Sequence, residues 1–549
     1  MNEKAKKRWI LLGFAFLSLL LAIAPILSPN GLGIIRVNDF NFHASRVESM
    51  ANILQSPTNF EFFHHYGSPV NLCYPWLTLV PWYLFYLLTH HIVGSYLCFV
   101  GVLTFATLWL CYQIGWKMTT KRGIGVLFAL LYSFSFYRLY NLYYRFAIGE
   151  AIAMTFLPLI IYALYQILYK KQTKAWYILT IAMTLTAYTH FLSLLFYTLF
   201  IVLFYLGATV IRQAKKKEWW ALVKAGFWSG LFSLGSMLPL IDLSLKHQLF
   251  TPEKGDVYRR SLTIKRFIWN HLQFSFKAST YACGFLLLLC FFVVILYWRH
   301  YHWWFKELIL FVVLSLVAVT RLFPWQKLQS TMLGSIQFPW RLYVFPTCFI
   351  ALLAAIALYY WWKEHYIYLG LGLLFVMVHL GIVIQYANVP NHGRAFYSFH
   401  PEAKIQKIVE NRGKPTWLGS GRIDYYLKAS QPYYKNFWQH RMYVDHHFVK
   451  VPMKVTPDEV RFTVDFKKEK EVILPVGAYS YMDVTMKGKT LPWKMGHTGG
   501  IEVTVPKGKQ TLTVQAKYPK WILPLQGITL ISFFGFVGYH FWTKKKRKR

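Results

Sequence analysis

The stretch AIGEAIAMTFLPLIIYALYQILYKKQTK (147–174) decides the class of fold. Its apolar run, 147–169, contains a single charged residue, Glu150. An α-helix needs about 20 mostly apolar residues to cross the hydrocarbon of a bilayer. Lys170, Lys171 and Lys174 close the run, and basic clusters mark the cytoplasmic ends of membrane spans. The stretch therefore predicts a membrane-spanning helix, and similar stretches recur along the chain.

The composition agrees with a chain of many such spans. Of the 549 residues, 56% are hydrophobic and 15% are charged, whereas about a quarter of the residues in a soluble chain are charged. Lys and Arg number 60 against 22 Asp and Glu, which gives a net charge of +38. Because the basic residues lie in short clusters between apolar runs, this excess indicates the topology of a membrane protein and no nucleic-acid partner. The composition excludes a soluble enzyme.

The positions of the basic clusters predict how often the chain crosses the membrane. The apolar runs of near-spanning length are 9–27, 72–88, 93–116, 123–140, 147–169, 175–188, 190–211, 219–243, 281–298, 307–323, 342–362, 366–386 and 522–542. The basic clusters can share the cytoplasmic side only if an even number of spans separates them. Three runs precede Lys117, so one of them does not cross. We assign 72–88, which contains Pro75 and Pro81, to an interfacial or re-entrant helix. Twelve spans remain, and both termini face the cytoplasm.

The segment 175–211 has two interpretations. It predicts two short spans that meet at Tyr188, Thr189 and His190. A single long tilted helix is the alternative, and it would invert the predicted topology of everything that follows.

The C-terminal part of the chain has the pattern of strands. Alternating residues in EVRFTVDF (459–466), IEVTVP (501–506) and TLTVQAKY (511–518) are separated by glycine-containing turns. We expect a polytopic α-helical membrane domain (1–386), with interfacial helices in an outer loop (28–92). A small extracytoplasmic β-sandwich (387–520) follows it. A last transmembrane helix with a basic cytoplasmic tail (521–549) ends the chain.

Two acidic residues near the predicted outer surface are candidates for chemistry, and Asp39 is the first. On a helix that starts near Asp39, His43 and Arg46 lie on the same face, since they are spaced i, i+4 and i+7. The alternative is structural, with Asp39 as a helix cap that pairs with Arg46. The opposite side of this helix is expected to contact the membrane through Phe42, Val47 and Met50.

Glu150 is the second candidate and opens a span directly after Arg138 and Arg145. A carboxylate is favoured at a helix N-terminus, and Arg145 is near enough to neutralise it in a purely structural pair. His190 suits proton transfer or simple packing. Arg341, at the mouth of a span, suits a phosphate or an interfacial position. The sequence contains no glycine-rich phosphate loop and no HExxH or CxxC motif.

Several segments together resemble a known family. They are NDFNFHASRVESM (38–50), YGSPVNLCYPWLTLVP (66–81), FYRLYNLYYRFAIGEAIAMTFLPL (136–159), THFLS (189–193) and QFPWR (337–341). The chain resembles the bacterial membrane proteins labelled "6-pyruvoyl-tetrahydropterin synthase-related", which are akin to the YfhO type. More broadly, it is similar to the GT-C class of integral membrane glycosyltransferases. The pterin label itself implies a soluble zinc enzyme with three histidine ligands, which this chain does not offer.

The resemblance implies an inverting transfer of a sugar from a polyprenyl-phosphate donor to an acceptor outside the plasma membrane. Asp39 would be the base or would orient the acceptor, with Glu150 as a second carboxylate. The substrate or its lipid phosphate would contact His43, Arg46, Arg138, Arg145, His190 and Arg341. The acceptor would be an envelope polymer or a protein, and a separate enzyme would charge the polyprenyl phosphate. No cofactor is assigned, and a divalent metal stays open.

Two other classes compete with a transferase. A transporter or flippase of envelope precursors would show repeated halves with helices broken at mid-membrane, and the sequence shows no such repeat. A non-catalytic envelope assembly protein would use the β-rich part to bind a polymer.

Overall fold

A computed structural model describes residues 2–27, 35–36, 39–212, 214–250, 255–363, 366–387, 396–397 and 424–546. The predicted loop 28–92 and sandwich 387–520 therefore lie partly outside the described residues. The chain forms two compact units. The helical unit comprises Met1–Asn38, Phe85–Ser229 and Glu253–Gln406, and the β-rich unit comprises Asp39–Leu84, Gly230–Pro252 and Lys407–Arg549.

The structure is mostly helical and has the helices of a membrane protein. Seven helices in the described part of the chain are long and apolar enough to cross a membrane, or eight if one bent pair counts as a span. The seven are Ile92–Thr119, Ile148–Tyr169, Phe191–Val210, Lys216–Lys246, Pro339–Trp362, Ile367–Ala387 and Ile522–Thr543. Each coincides with a span predicted from the sequence.

The predicted span 123–140 is broken. Helices Arg122–Ser133 and Phe136–Tyr143 are bent by 44° with respect to each other. The break lies at Ser135, whose extended backbone (φ −62°, ψ 144°) interrupts the helical hydrogen bonds. The Ser135 hydroxyl donates to the Tyr132 carbonyl, which also accepts a hydrogen bond from the Ser135 backbone N–H.

Three further predicted spans form shorter helices. Trp176–Ala187 and Phe285–Leu296 have 12 residues each, and Trp303–Ala318 has 16. At 1.5 Å per residue, 12 residues extend about 18 Å, less than the roughly 30 Å of hydrocarbon in a bilayer. One helix ends at Ala187 and the next begins at Phe191, so 175–211 forms two helices and not one. The first predicted span is helix Glu3–Ile23, whose first two turns contain four basic residues.

The run 72–88 does not form one continuous helix. It is divided among Val70–Cys73, the 3₁₀ turn Leu77–Leu79 and helix Val80–Thr89. The interruption includes Pro75, which has no backbone N–H to donate. Helix Val80–Thr89 has ten residues and is too short to cross a bilayer alone, which agrees with an interfacial or re-entrant segment.

The remaining helices are short. They are Phe40–Glu48, Val257–Arg260, Ile264–His271, Trp325–Leu328 and Tyr434–Trp438, with 3₁₀ or π turns at Ser49–Asn52, Phe63–His65, Tyr165–Tyr169, Thr173–Ala175, Trp298–His300, Met332–Ile336, Pro339–Tyr343 and Lys428–Tyr433.

Two glycines allow two helices of the helical unit to approach closely. A Cβ on Gly115 would lie 2.9 Å from the Gly125 Cα, and one on Gly125 would lie 2.5 Å from the Tyr112 carbonyl oxygen. Small residues are the usual means of close helix packing in membranes, where the hydrophobic effect gives little association energy. The contact joins Ile92–Thr119 to Arg122–Ser133, the first half of the bent pair.

The described strands form a two-stranded ribbon and two five-stranded sheets. In chain order they are β1 (Ile35–Arg36), β2 (Phe396–Tyr397), β3 (Arg441–Val444), β4 (His447–Lys450), β5 (Met453–Val455), β6 (Glu459–Phe466), β7 (Lys470–Gly477), β8 (Met482–Met486), β9 (Lys489–Thr490), β10 (Lys494–Met495), β11 (Gly500–Val505) and β12 (Gly508–Ala516). The ribbon pairs β1 with β2. The two sheets have the orders β10-β11-β7-β3-β4 and β5-β6-β12-β8-β9, and every pairing within them is antiparallel.

Alternation along the strands places one face of each sheet in a common core. Val472 and Leu474 of β7 and Val460 and Phe462 of β6 belong to the same buried cluster. The strand predicted at 459–466 coincides with β6, and those predicted at 501–506 and 511–518 correspond to β11 and β12. The β-rich pattern read from the sequence is thus confirmed in the described residues.

Candidate functional site

The candidate residues fall into both units, and each group is described within its own unit. In the helical unit, Glu150 lies in the first turn of helix Ile148–Leu164 and is 4% exposed. The Tyr137 hydroxyl donates to one carboxylate oxygen, Oε1, and Asn141 Nδ2 lies 3.4 Å from the same atom. Arg145 Nη1 lies 2.9 Å from the other oxygen, Oε2. The helix dipole and these donors all favour the ionised carboxylate.

A second arginine approaches the same carboxylate. Arg341 Nε lies 3.9 Å from Glu150 Oε2, and its Nη1 lies 3.4 Å from Gln337 Oε1. His190 interacts electrostatically with Glu150, and its Nδ1 lies 2.8 Å from the Ser193 hydroxyl. The structure therefore brings Glu150, Arg145 and Arg341 together, with His190 nearby. That these residues hold a phosphate, as the resemblance implies, stays a prediction. Two guanidinium groups thus lie near one carboxylate oxygen, and arginine is well suited to bind a phosphate or another anion.

Aromatic side chains hold one of these arginines in place. The Arg145 guanidinium carbon lies 4.3 Å from the centre of the Trp340 ring. On Trp340, the Tyr281 ring stacks at 3.9 Å with an interplanar angle of 2°. Asn141 Oδ1 accepts a hydrogen bond from Arg145 Nη1 at 3.1 Å. Packing and hydrogen bonding therefore restrict the position of the guanidinium.

Arg138 has different partners from the other two arginines. It is fully buried and donates to the Ala151 carbonyl at 2.8 Å, to the Thr107 hydroxyl at 2.7 Å and to the Thr155 hydroxyl at 3.4 Å. Within the described residues it forms no ion pair with a carboxylate. These contacts join three helices, which favours a structural role. The prediction that Arg138 binds a lipid phosphate stays a prediction.

In the β-rich unit, Asp39 lies at the N-cap of helix Phe40–Glu48 and is partly exposed. Its side chain makes no capping hydrogen bond to that helix. One turn later, His43 Nδ1 lies 3.3 Å from Arg46 Nη1, so this predicted pair does meet. Asp39 therefore lies at the predicted start of the helix, but its side chain does not make the capping hydrogen bond.

Arg46 fastens this helix to the segment that follows. It is fully buried, and it donates from Nε to Asn71 Oδ1 at 3.1 Å and from Nη2 to the carbonyls of Tyr74 and Pro75 at 2.9 and 2.8 Å. Its guanidinium carbon lies 4.2 Å from the centre of the Tyr74 ring. Burial lowers the pKa of Arg46 to about 10, so it stays charged at neutral pH.

The expectation that the apolar side of this helix contacts the membrane is wrong. Val47 is 0% exposed, Met50 is 3% exposed, and Phe42 packs edge to face with Phe63 and Tyr74. The amphipathic pattern is real, but other parts of the protein cover its apolar side, because the chain after Asn52 folds back over it.

Three histidines lie near one another elsewhere in the β-rich unit. The rings of His65 and His440 are 4.9 Å apart, and His64 stacks on Trp438 at 4.3 Å. Burial, with the neighbouring histidines, lowers the pKa of His64 and of His440 to about 4, and burial lowers the pKa of His65. No group of three or more metal-ligating side chains in the described part of the chain could hold an ion.

Sequence reasoning missed several residues that contact Glu150 and Arg145. Tyr137 and Asn141 are spaced i, i+4 on helix Phe136–Tyr143, so their common face could have been read from the spacing. The stacking of Trp340 on Tyr281 joins residues far apart in sequence, and no local pattern predicts it.

The described residues define a helical membrane protein with a β-rich unit, and its helical unit contains a buried cluster of one carboxylate and two arginines. Neither a comparison with protein-family models nor a search of curated proteins finds a match for this chain.

Proposed function

We propose that the protein is an integral membrane glycosyltransferase of GT-C type, which moves a sugar from a polyprenyl-phosphate donor to a cell-envelope acceptor. The observation that carries the proposal is the cluster of Arg145 and Arg341 around Glu150. Two guanidinium groups beside the first turn of a helix of spanning length are suited to the phosphate of a lipid-linked sugar.

In this reaction the acceptor hydroxyl attacks the anomeric carbon while the bond from that carbon to the phosphate oxygen breaks. Arg145 and Arg341 of the helical unit would stabilise the charge on the departing phosphate. The role of accepting the proton of the hydroxyl is assigned to Asp39 as the resemblance implies. Glu150 keeps both guanidinium groups in position, and His190 is available for proton transfer at the same cluster. His43 and Arg46 fix the helix that carries Asp39.

The proposal includes a membrane topology. In this topology of twelve spans in the plasma membrane, with both termini in the cytoplasm, the first turn of Ile148–Leu164 and the strands β3 to β12 would face the outer side. No nucleotide is needed there, because the donor is already linked to a lipid. A separate enzyme would charge the polyprenyl phosphate, and the acceptor would be an envelope polymer or a protein.

The test compares envelope glycans by mass spectrometry in cells that carry the wild type, a deletion or Asp39→Asn at matched expression. The conservative change removes the proton acceptor and keeps the shape of the side chain. We expect the same sugar substituent to disappear in the deletion and in Asp39→Asn, since both abolish transfer.

Asp465→Asn is the matched control, because Asp465 is an exposed acidic residue on strand β6. It should leave the glycans unchanged. If the deletion loses a substituent that Asp39→Asn retains, Asp39 is not the base, and a transporter or an assembly protein explains the deletion better.

A further inference from the structure

Strands β3 and β4 carry an exposed surface that the proposed reaction does not use. Met442 and Val444 of β3 point into the core of the β-rich unit, so Arg441 and Tyr443 point away from it. In the register of the two strands, Arg441 is opposite Lys450 and Tyr443 is opposite Phe448. Two cations and two aromatic rings therefore occupy neighbouring positions on one face of the sheet.

The two cations are an unusual pair. Like charges directly opposite each other on antiparallel strands destabilise a sheet. Arg441 and Lys450 are both exposed, and in the described part of the chain neither forms an ion pair with a carboxylate. Lys435, on the adjoining helix Tyr434–Trp438, is exposed as well. A binding site for an anion accounts for this unfavourable pairing, because an anionic group between the cations would relieve their repulsion.

Four rings lie beside the cations and contact one another in a closed cycle. Tyr443 lies 5.1 Å from Phe448 and 4.6 Å from His497, and Tyr433 lies 5.8 Å from Phe448 and 6.0 Å from His497. The Tyr and Phe rings are only partly buried, and His497 is exposed. Partly exposed aromatic rings bind the C–H face of a sugar, and tyrosine hydroxyls can hydrogen-bond to its hydroxyls.

We infer that this surface of Arg441, Tyr443, Phe448 and Lys450 binds an anionic polysaccharide, one whose sugar units carry carboxylate or phosphate groups. The cations contact the acidic groups and the rings contact the sugar. The rings of Tyr443 and Phe448 meet at 66°, so they do not form a flat stack for the bases of a nucleic acid. The surface would hold a charged envelope polymer, and it acts whether or not the protein transfers sugars.

The experiment measures binding of the purified full-length protein in detergent to three polymers by isothermal titration calorimetry. Polygalacturonate is an anionic sugar polymer, dextran is a neutral one, and polyglutamate is an anion without sugar. We expect binding to polygalacturonate that weakens as salt is added, weaker binding to polyglutamate and none to dextran. Single-stranded DNA serves as a fourth probe and should bind no better than polyglutamate.

Two variants separate the contributions of charge and of the rings. The double change Arg441→Gln and Lys450→Gln should weaken binding to polygalacturonate about tenfold or more. Tyr443→Ala should remove the preference for polygalacturonate over polyglutamate. The control is Lys467→Gln with Lys468→Gln, which removes two exposed charges from the loop after β6 and should change binding less than about twofold.

Thermal unfolding of each variant shows whether it is folded, and removal of two like charges should not lower the midpoint. Equal losses in the test and control doubles would overturn the inference, because binding would then follow net charge alone. Equal affinity of the wild type for polygalacturonate and polyglutamate, or tighter binding of DNA, would overturn it as well.

Discussion

The two units surround arginine side chains with different kinds of partner. In the helical unit, Arg145 and Arg341 surround the carboxylate of Glu150. In the β-rich unit, Arg46 is fully buried, and within the described residues its hydrogen bonds go to neutral acceptors and to His43. The first arrangement sets charge against charge. The second satisfies a cation with the dipoles of backbone and side-chain groups.

This difference indicates different roles. The cluster around Glu150 is suited to binding, whereas the contacts of Arg46 hold two segments of the chain together. The hydrogen bonds that Arg46 donates to neutral carbonyls join helix Phe40–Glu48 to the segment around Tyr74. The cluster around Glu150 holds two guanidinium groups in fixed positions near one another, which is an arrangement suited to an incoming anion. Catalytic and binding sites commonly use such preorganised charges.

The largest expected effect comes from removing the shared carboxylate. Glu150→Gln removes the buried carboxylate that both guanidinium groups approach, and breaking a buried pair in this way lowers stability by about 3–5 kcal/mol. We expect the thermal midpoint of the purified protein in detergent to fall clearly. The exposed Glu469→Gln is the control and should leave the midpoint unchanged. A stable Glu150→Gln protein would mean that water already reaches the cluster.

The second largest effect is expected from removing the hydrogen bonds of Arg46. Arg46→Met leaves the carbonyls of Tyr74 and Pro75 and the amide oxygen of Asn71 without their donor, at about 1–3 kcal/mol for a buried unsatisfied group. Limited proteolysis should cut the segment 66–81 faster in this variant. Arg46→Lys retains the charge but loses the planar fork, so it should rescue protection only in part. Full rescue by Arg46→Lys would show that the charge of the side chain, and not the geometry of the guanidinium group, holds the helix in place.

The histidines of the β-rich unit differ from Arg46 in their charge. Burial makes His64 and His440 neutral at neutral pH, whereas Arg46 stays charged. The pKa of His64 and of His440 is about 4 in the folded protein, against about 6.5 in an unfolded chain. The unfolded state therefore binds more protons between pH 4 and 6.5, so stability falls as the pH is lowered through this window. Discounted for partial exposure, the loss is about 1–2 kcal/mol per histidine.

The measurement is the thermal midpoint between pH 7.5 and 4.5. The double change His64→Phe and His440→Phe should flatten the pH dependence, whereas His447→Gln, at an exposed site, should not. An unchanged slope in the double variant would assign the acid sensitivity to other groups.

The smallest effects concern the rings under the two kinds of arginine. Trp340 lies 4.3 Å from Arg145, and Tyr74 lies 4.2 Å from Arg46. Trp340→Phe and Tyr74→Leu should each lower stability by about 1 kcal/mol, the usual size of a cation–π contact. We expect only Trp340→Phe to lower glycan transfer, because Arg145 belongs to the proposed phosphate site. Equal losses of transfer would remove the functional distinction between the two arginines.

The sequence predicted best where its signal is local and periodic. Alternation over 459–466 predicted strand β6, and the long apolar runs predicted all seven long helices. It failed where tertiary packing decides the outcome. The apolar side of Phe40–Glu48 reads the same whether lipid or protein covers it, and only the fold shows that protein does.

The candidate site shows the same limit. Glu150 and Arg145 are five residues apart, so their pairing could be expected from sequence. Arg341 is distant in sequence and was placed near a phosphate by its residue type and its resemblance to a family motif. Its approach to Glu150 depends on how the helices pack. The break at Ser135 was missed because serine is compatible with a helix and bends it only when its hydroxyl finds a carbonyl.

The central claim is that the protein consumes a lipid-linked sugar on the outer side of the membrane. The most direct measurement is mass spectrometry of polyprenyl-phosphate sugars extracted from intact cells after treatment with a membrane-impermeant oxidant. We predict that one species accumulates in the deletion and in Asp39→Asn, that the oxidant modifies it, and that the wild type removes it. Accumulation of a species protected from the oxidant would indicate a flippase. No change in any lipid-linked sugar would contradict the proposed donor.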